Sequence, residues 1–369
     1  MRVAVLANLK KNAPSWPGMS PDQWDDLDSE ETIEGILDAL QIGGHEAEFF
    51  EGDLTLVEKL PAFKPDICFN IAESHWGDSR ESQVPAILEM MRIPYTGSRV
   101  MSLALALDKS MTKRILHFHE LPTPPFQTFE RVDEPLDEDM KFPMFVKPSR
   151  EGTGMGVSAA SIVQNELELR RQIKEILTRY RQPALVEHYI DGREITVGVV
   201  GNLRGPVARR VPGDEDAPRI TAGLHFLPPL EVDLARYPEE EGGIYTNRVK
   251  TELADNFHYI CPAPVDEDLL VDLNWYTAAA FRVLGCRDVA RVDFRLDRHD
   301  NDKPYILEIN PLPGLNQRIS DLVLEARAEG VNHAELINSI LLQGAARHGL
   351  LPTGIQLNWP AARLPMANA

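Results

Sequence analysis

The segment from Asp288 to Gly314, DVARVDFRLDRHDNDKPYILEINPLPG, constrains the fold more than any other, because its alternation specifies two strands that share a polar face. Side chains along a strand point to opposite sides in turn, so Arg291, Asp293 and Arg295 fall on one face and Ala290, Val292, Phe294 and Leu296 on the other. A polar turn built on DRHDND leads into YILEIN, where Glu308 and Asn310 take one face and Tyr305, Leu307 and Ile309 the opposite one. An antiparallel hairpin then sets Asp293 near Glu308. Two carboxylates and an amide oxygen brought together repel unless a cation lies between them, and an all-oxygen set suits a hard ion such as Mg²⁺. An ordinary hairpin with a solvated face shows the same alternation, and the alternation does not choose between the two.

Composition limits the class. At 369 residues the chain has room for two or three domains, and 43% hydrophobic with 26% charged residues is the balance of a soluble globular protein. A formal net charge of −19 opposes a sequence-independent hold on nucleic acid, so no nucleic-acid partner is expected, and an acidic nucleotide would need a local basic site. Cys68, Cys261 and Cys286 lie far apart without CxxC spacing, which fits buried thiols in a reducing compartment. The start MRVAVLANLKK carries too short an apolar run for a signal peptide, and no run of about 18 apolar residues offers a membrane span. A cytoplasmic protein with no membrane partner is the expectation.

Along the chain, RVAVLA, a helix from about Glu30 to Leu40, HEAEFFEG, PDICFNIAE and SQVPAILEMMR leading to IPYTGS give a βαβ rhythm and hence a parallel sheet. Ser98 to Glu120 reads as helix, and LPTPP after it as a linker. From Phe142 to Ile190 come a strand (FPMFVKP), a Gly-rich loop (SREGTGMG), a strand (VSAASIV), a helix (ELELRRQIKEILTRY) and a strand (PALVEHYI), an α+β unit. The strand ITVGVVGN, a long polar loop from about Gly213 to Asp255, a helix through LNWYTAAAFRVLG, the hairpin and two last helices follow, and the chain from Leu351 reads as a loosely held tail. The fold class is α/β plus α+β, with limits at 1–105, 106–195, 196–350 and a tail at 351–369.

The Gly-rich loop follows Lys147 and supplies Gly152, Gly154 and Gly156 with the hydroxyls of Ser149 and Thr153. Glycines let backbone N–H groups turn toward an anion, and a nearby lysine adds a point charge, which makes a phosphate cradle in principle. A tight β-turn explains the same residues. The loop is neither a Walker A motif nor a dinucleotide fingerprint, since it lacks GK[ST] and a strand rather than a helix follows; the first strand carries no GxGxxG, which weakens a NAD-dependent oxidoreductase.

Taken in order, LALDKSMTK, FVKPSREGTGMGV, VEHYIDGREITV, ARVDF and LEINPLPG resemble the ATP-grasp superfamily, and most closely the D-alanine:D-alanine ligases, over roughly residues 65–349. The resemblance implies a three-domain ATP-grasp fold and an ATP-dependent ligase that joins a carboxylate to an amine through an acylphosphate, with Mg²⁺ (or Mn²⁺), small amino-acid or carboxylate substrates, and a homodimer. It implies roles residue by residue. Lys109 and Lys147 would touch the phosphates, with Thr153 in the loop beside them, Glu187 the adenine amino group and Glu194 the ribose, while His188, Tyr189 and Ile190 form the adenine slot. Lys250 would sit on a loop closing over the γ-phosphate that ends at Cys261-Pro262. Asp293, Glu308 and Asn310 would hold the metal, and Arg291 with the Gly314 amide would stabilise the tetrahedral intermediate. A lid around residues 242–255 would exclude water.

Departures from the family pattern concentrate on amino-acid recognition. ANLKKNAPSWPGMSPDQWDDLDSEE stands where the family carries GG.S.E..VS, and Glu30 or Glu31 is the available substitute for its acid. SHWGDSRESQVP replaces HG..GEDG.LQ, Ser320 sits one place late after the final glycine motif, and the closing loop lacks a tyrosine near Glu252. A ligase with a substrate pair other than two D-alanines is therefore expected. A true D-alanine:D-alanine ligase and a non-catalytic ATP-binding sensor or assembly protein are the alternatives.

Overall fold

Apolar run length decides the first sheet. RVAVLA is buried along nearly its whole length, as befits a central parallel strand covered on both faces. The computed structural model describes residues 1–204, 223–236, 244, 259–352 and 357–360. In it β1 (Arg2–Ala7) lies between β2 (Glu46–Glu51) and β3 (Ile67–Asn70), parallel to both. The expected strand in IPYTGS is reduced to one bridge, Cys68 to Tyr95. Helix α1 (Glu30–Ile42), whose N-cap Ser29 accepts the Thr32 N–H, covers one face, and α2 (Leu56–Phe63) with α3 (Gln83–Met91) the other.

The segment expected as one helix from Ser98 to Glu120 is two, α4 (Val100–Leu107) and α5 (Lys109–Phe118). Asp108 separates them: its backbone is extended and its carboxylate accepts the Met111 N–H at 3.0 Å, a local bond that competes with helix continuation. The break puts Lys109 at the start of α5, where its N–H donates to the Ser149 carbonyl at the root of the Gly-rich loop.

A four-stranded antiparallel sheet follows, in the order β4 (Phe126–Phe129), β7 (Ala184–His188), β5 (Met144–Pro148), β6 (Ile162–Val163), backed by the apolar stripe of α6 (Glu166–Arg179). The strand expected over VSAASIV is only Ile162–Val163, because Ser158 caps a 3₁₀ turn over Ala159–Ser161.

The third sheet runs β11 (Tyr259–Ile260), β10 (Leu230–Val232), β8 (Gly192–Gly201), β12 (Val289–Asp297), β13 (Lys303–Asn310), with β9 (Leu224–Phe226) also on β8. Strands β9 and β10 lie within the stretch read from sequence as loop. The limit drawn at 195/196 falls within β8, which pairs with β12 from Gly192 to Val200. Helix α7 (Glu267–Val283) covers one face of this sheet. Helices α8 (Asp321–Ala328) and α9 (His333–Arg347) pack between the other face and α1, tying the end of the chain to its beginning.

The hairpin β12–β13 sets Asp293 opposite Glu308 and Arg291 opposite Asn310, as the alternation predicts. It departs from strict alternation at a bulge, where Phe294 pairs with Ile306 and leaves Leu307 as the extra residue. Ile306 and Ile309 enter the core, whereas Leu307 joins Glu308 on the wall of a cavity, against the expectation that put Leu307 opposite it. Tyr305 likewise pairs with Arg295 instead of packing in the core. The tail is held at Trp359, whose ring stacks on His225 at 4.4 Å and whose indole N–H donates to Glu329.

Candidate active site

The four- and six-stranded sheets face each other across a cavity of about 110 Å³ lined from β5, β7, β12 and β13. At its floor Glu187 accepts from Lys147 at 2.7 Å and pairs with Lys113 on its other oxygen. Lys113, one helical turn after Lys109 on α5, is fully buried and also donates to Thr123 Oγ1 at 2.7 Å. Sequence reasoning missed it, although the i, i+4 spacing from Lys109 was the available signal. Burial lowers the Lys113 pKa to about 8, which Glu187 only partly offsets. For Lys147 burial works in the same direction, but Glu187 and Glu308 outweigh it and hold the ammonium above its ordinary range. Burial would raise Glu187; its two lysines overcome this and hold it below the usual carboxylate range.

Along the rim, the end of β7 and the segment after it bring His188, Tyr189 and Ile190 to the cavity wall with Glu194 of β8. Glu194 is oriented by Arg295, whose Nη1 donates to it at 2.7 Å while Nε donates to the Ile190 carbonyl at 3.1 Å. Arg295 also lies over the Tyr189 ring at 5.8 Å. The sequence reading gave Arg295 no role here; it is the residue that joins the slot to the hairpin. The His188 ring accepts the Lys141 N–H at 2.9 Å, and burial lowers its pKa.

The hairpin supplies the centre of the site. Arg291 and Asp293, two apart on one strand face, form a two-pronged pair at 2.8 and 2.9 Å, and Arg291 reaches Asp321 at 3.2 Å. Burial opposes the Arg291 charge, but Asp293 and Asp321 outweigh it. Asp293 Oδ1 also accepts from Thr196 Oγ1 at 2.6 Å. Glu308 pairs with Lys109 at 3.1 Å, and Asn310 Oδ1 accepts the Leu312 N–H at 3.0 Å. Among the described residues no three His, Cys, Asp or Glu side chains gather as a metal-binding group; the hairpin sets Asp293 across from Glu308, with Asn310 two residues further on. The all-oxygen set suits a hard divalent ion, which would compete with Arg291 and Lys109 for the same carboxylates.

A second cavity, of about 300 Å³, adjoins the first. Lys109, Glu151 and Glu308 line both. Arg291, Asn310 and Gly314 form one wall, and a Cβ on Gly314 would lie 2.9 Å from Ser320 Oγ, which would have to shift to admit it. The opposite wall is acidic: Asp26 and Asp28 come from the segment before α1, and Glu73 and Glu81 from the segment after β3. Burial, with Asp26 beside it, raises Asp28 to about 7; burial raises Glu81 to about 7 against the pull of Arg80, and raises Glu73 further. Glu30 and Glu31 do not line this cavity; they pair with Lys11 and Arg318 on the surface.

The two segments that depart from the family pattern meet each other at this acidic wall. Trp16 and Trp24 pack on Trp76 at 5.5 and 5.8 Å, Trp24 meets His75 at 5.3 Å, and buried Arg80 donates to Asp26 at 2.8 Å and to Glu151 at 3.3 Å. The same N-terminal segment reaches the Gly-rich loop. Asp22 accepts the Gly156 N–H at 2.9 Å and the Tyr180 hydroxyl at 2.9 Å. Thr153, Gly154 and Gly156 all take positive φ, so the loop between the cavities depends on that backbone freedom. Gly154 lines the first cavity and Thr153 the second. Lys250 and the 242–255 lid, Ile244 apart, lie outside the described residues; Ile244 lines the first cavity.

A four-stranded antiparallel sheet and a larger mixed unit closing on a cleft lined with lysines and carboxylates is the ATP-grasp architecture. The family model described as the D-ala D-ala ligase C-terminus matches residues 115–213 and 230–342. The chain is 35% identical to the uncharacterized protein y4sG of Sinorhizobium fredii, over 92% of this chain and 96% of that one. It is 35% identical to the D-alanine–D-alanine ligase of Methylibium petroleiphilum (85% and 89% covered) and 31% to that of Pelotomaculum thermopropionicum (84% and 90%). The D-alanine–D-alanine ligase of Bacillus anthracis, solved complexed with ATP, superposes with a TM-score of 0.68 at 22% identity, covering 95% of this chain and 99% of that one. The chain belongs to the D-alanine–D-alanine ligase family and is a ligase that forms carbon–nitrogen bonds. Among its described residues no helix is long and apolar enough to cross a membrane.

Proposed function

We propose that the chain couples ATP cleavage to amide formation between a carboxylate and an amine, and that the pair is not two D-alanines. One observation carries the second half: the two segments that depart from the family pattern meet at the acidic wall of the second cavity, opposite Arg291 and Gly314. Lys109 and Lys147 bind the phosphates, Glu187 and Glu194 the adenine and ribose, and His188, Tyr189 and Ile190 flank the base. Gly154 lines the phosphate end of the first cavity and Thr153 the second, while Asp22 holds the Gly156 N–H and fixes the loop between them. Asp293, Glu308 and Asn310 would hold Mg²⁺, which would supply neutralising charge to the transferring phosphoryl group. The substrate carboxylate lies in the second cavity, takes the phosphoryl group to become an acylphosphate, and is attacked by the amine at its acyl carbon as phosphate leaves. Arg291 and the Gly314 N–H donate to the oxyanion, a role worth about 10²–10³ in rate per donor.

The test is ADP release across a panel of D- and L-amino acids, singly and in pairs, with Lys147→Ala and Asp293→Asn as controls. Release that needs one particular pair and is lost in both controls supports the proposal. Release with D-alanine alone would refute the different pair and favour the activity that names the Methylibium and Pelotomaculum relatives. Turnover unchanged in Asp293→Asn would sink the metal assignment.

A further inference from the structure

Helix α5 carries two lysines one turn apart, and each holds a carboxylate of a different sheet. Lys109 pairs with Glu308 of β13 at 3.1 Å, and Lys113 pairs with Glu187 of β7. Four residues of helix rise span about 6 Å, so α5 sets a separation between two acids that both line the first cavity.

Lys113 does more than neutralise Glu187. Its ammonium also donates to Thr123 Oγ1 at 2.7 Å, and that hydroxyl donates in turn to the Ile306 carbonyl at 2.9 Å. The Ile306 N–H donates to the Pro122 carbonyl at 2.8 Å, so the segment before β4 engages both backbone groups of Ile306. Ile306 is where β13 slips against β12: Leu307 follows as the extra residue, and Leu307 and Glu308 then share the cavity wall. At the other end of the same segment the Pro125 carbonyl accepts the His188 N–H at 2.9 Å, beside Glu187. Residues 122–125 read PTPP, and three prolines of fixed φ make this a stiff bridge from β13 to β7. Lys113, wholly buried, braces the bridge, bonded to Glu187 on one side and through Thr123 to Ile306 on the other.

We propose that Lys113 is a positioning residue of the ligase reaction, fixing Glu187 at the base end of the nucleotide against Glu308 at its metal end. The proposal rests on the adenine and Mg²⁺ roles given above to those two acids. Its physical content is register: a nucleotide has a set length, and a displacement of about 1 Å in either seat satisfies one acid at the expense of the other.

Calorimetric titration of the full chain with ATP and with GTP, each with Mg²⁺ and with EDTA, reads the two ends separately. Preference for ATP reports Glu187, since adenine offers an amino donor where guanine presents a carbonyl. The gain in affinity from Mg²⁺ reports Glu308. Thr123→Val removes the hydroxyl with little change of shape and leaves Lys113 paired with Glu187; it should keep the preference for ATP while the Mg²⁺ gain falls by about tenfold, the worth of a hydrogen bond to a charged group. Thr123→Ser keeps the hydroxyl and should restore the gain. Lys113→Met should lose both the preference and the gain, and the gentler Thr123 variants carry the test if that protein folds poorly. A Mg²⁺ gain in Thr123→Val within about twofold of wild type, or an equal drop in all the affinities, overturns the proposal. Wild-type protein that binds ATP and GTP equally and gains nothing from Mg²⁺ overturns the roles of Glu187 and Glu308, and the proposal with them.

Discussion

Replacing Glu187 with Gln removes the carboxylate in direct contact with two buried lysines at the floor of the first cavity. The Glu187 side chain is 3% exposed, Lys113 0% and Lys147 10%. Gln keeps the shape and leaves two ammonium groups facing each other. Removing one partner of a buried pair costs about 3–5 kcal/mol. Lys113 shows how little slack there is: with Glu187 present its pKa still falls to about 8. At about 1.4 kcal/mol per unit, that depression corresponds to about 3 kcal/mol of instability near neutral pH. The unfolded lysine keeps its proton to about 10.5 and the folded one only to about 8, so this group's penalty is complete below about 8 and fades as pH rises toward 10.5. The assay is urea unfolding near neutral pH. Glu187→Gln should lose about 3–5 kcal/mol, and adding Lys113→Met should restore part of that loss by removing the stranded charge. A loss under about 1 kcal/mol, or no recovery on adding Lys113→Met, would refute the reasoning.

Asp22→Ala should free the Gly156 N–H and the Tyr180 hydroxyl; with a charged acceptor worth about 1.5–3 kcal/mol, Gly156 amide exchange should quicken by about 10-fold or more, and unchanged exchange would count against the latch. Gly192→Ala would drive a Cβ to 1.6 Å from the Leu296 carbonyl oxygen, a backbone atom with no escape, so the thermal midpoint should fall by the equivalent of about 3 kcal/mol or more. An unshifted midpoint would contradict the register there. Asp28 titrates near 7 when folded, above its unfolded value, so its stabilising share is full in acid and is lost as pH rises through about 7. Asp28→Asn should therefore gain stability relative to wild type as pH rises from about 5 to about 8, and a constant difference across that range would show that the carboxyl is not perturbed.

Much of this was legible from spacing. The period-two pattern set Asp293 against Glu308, and the βαβ rhythm of the first segment announced a parallel sheet. What escaped did so for physical reasons. Leu307 reached the cavity wall because one extra residue in β13 resets the alternation, and no sequence periodicity marks where a bulge falls. Asp108 broke a helix through one side-chain bond inside an apolar stretch. Arg80 and Asp26 meet across 54 positions, and Arg295 and Glu194 across 101; pairings of that kind depend on tertiary packing. Lys113 was the least expected, since an ammonium at the end of a helical turn reads as solvent-facing until its buried acid is known.

Lys109, Glu151 and Glu308 wall both cavities at once. A change at any of them reshapes both cavities together. Residues that face the second cavity alone, Asp26, Asp28, Glu73 and Glu81, carry no such double duty. The N-terminal segment and its tryptophan-packed neighbour can therefore be altered without touching the wall of the first cavity, and the strand carrying Glu308 cannot.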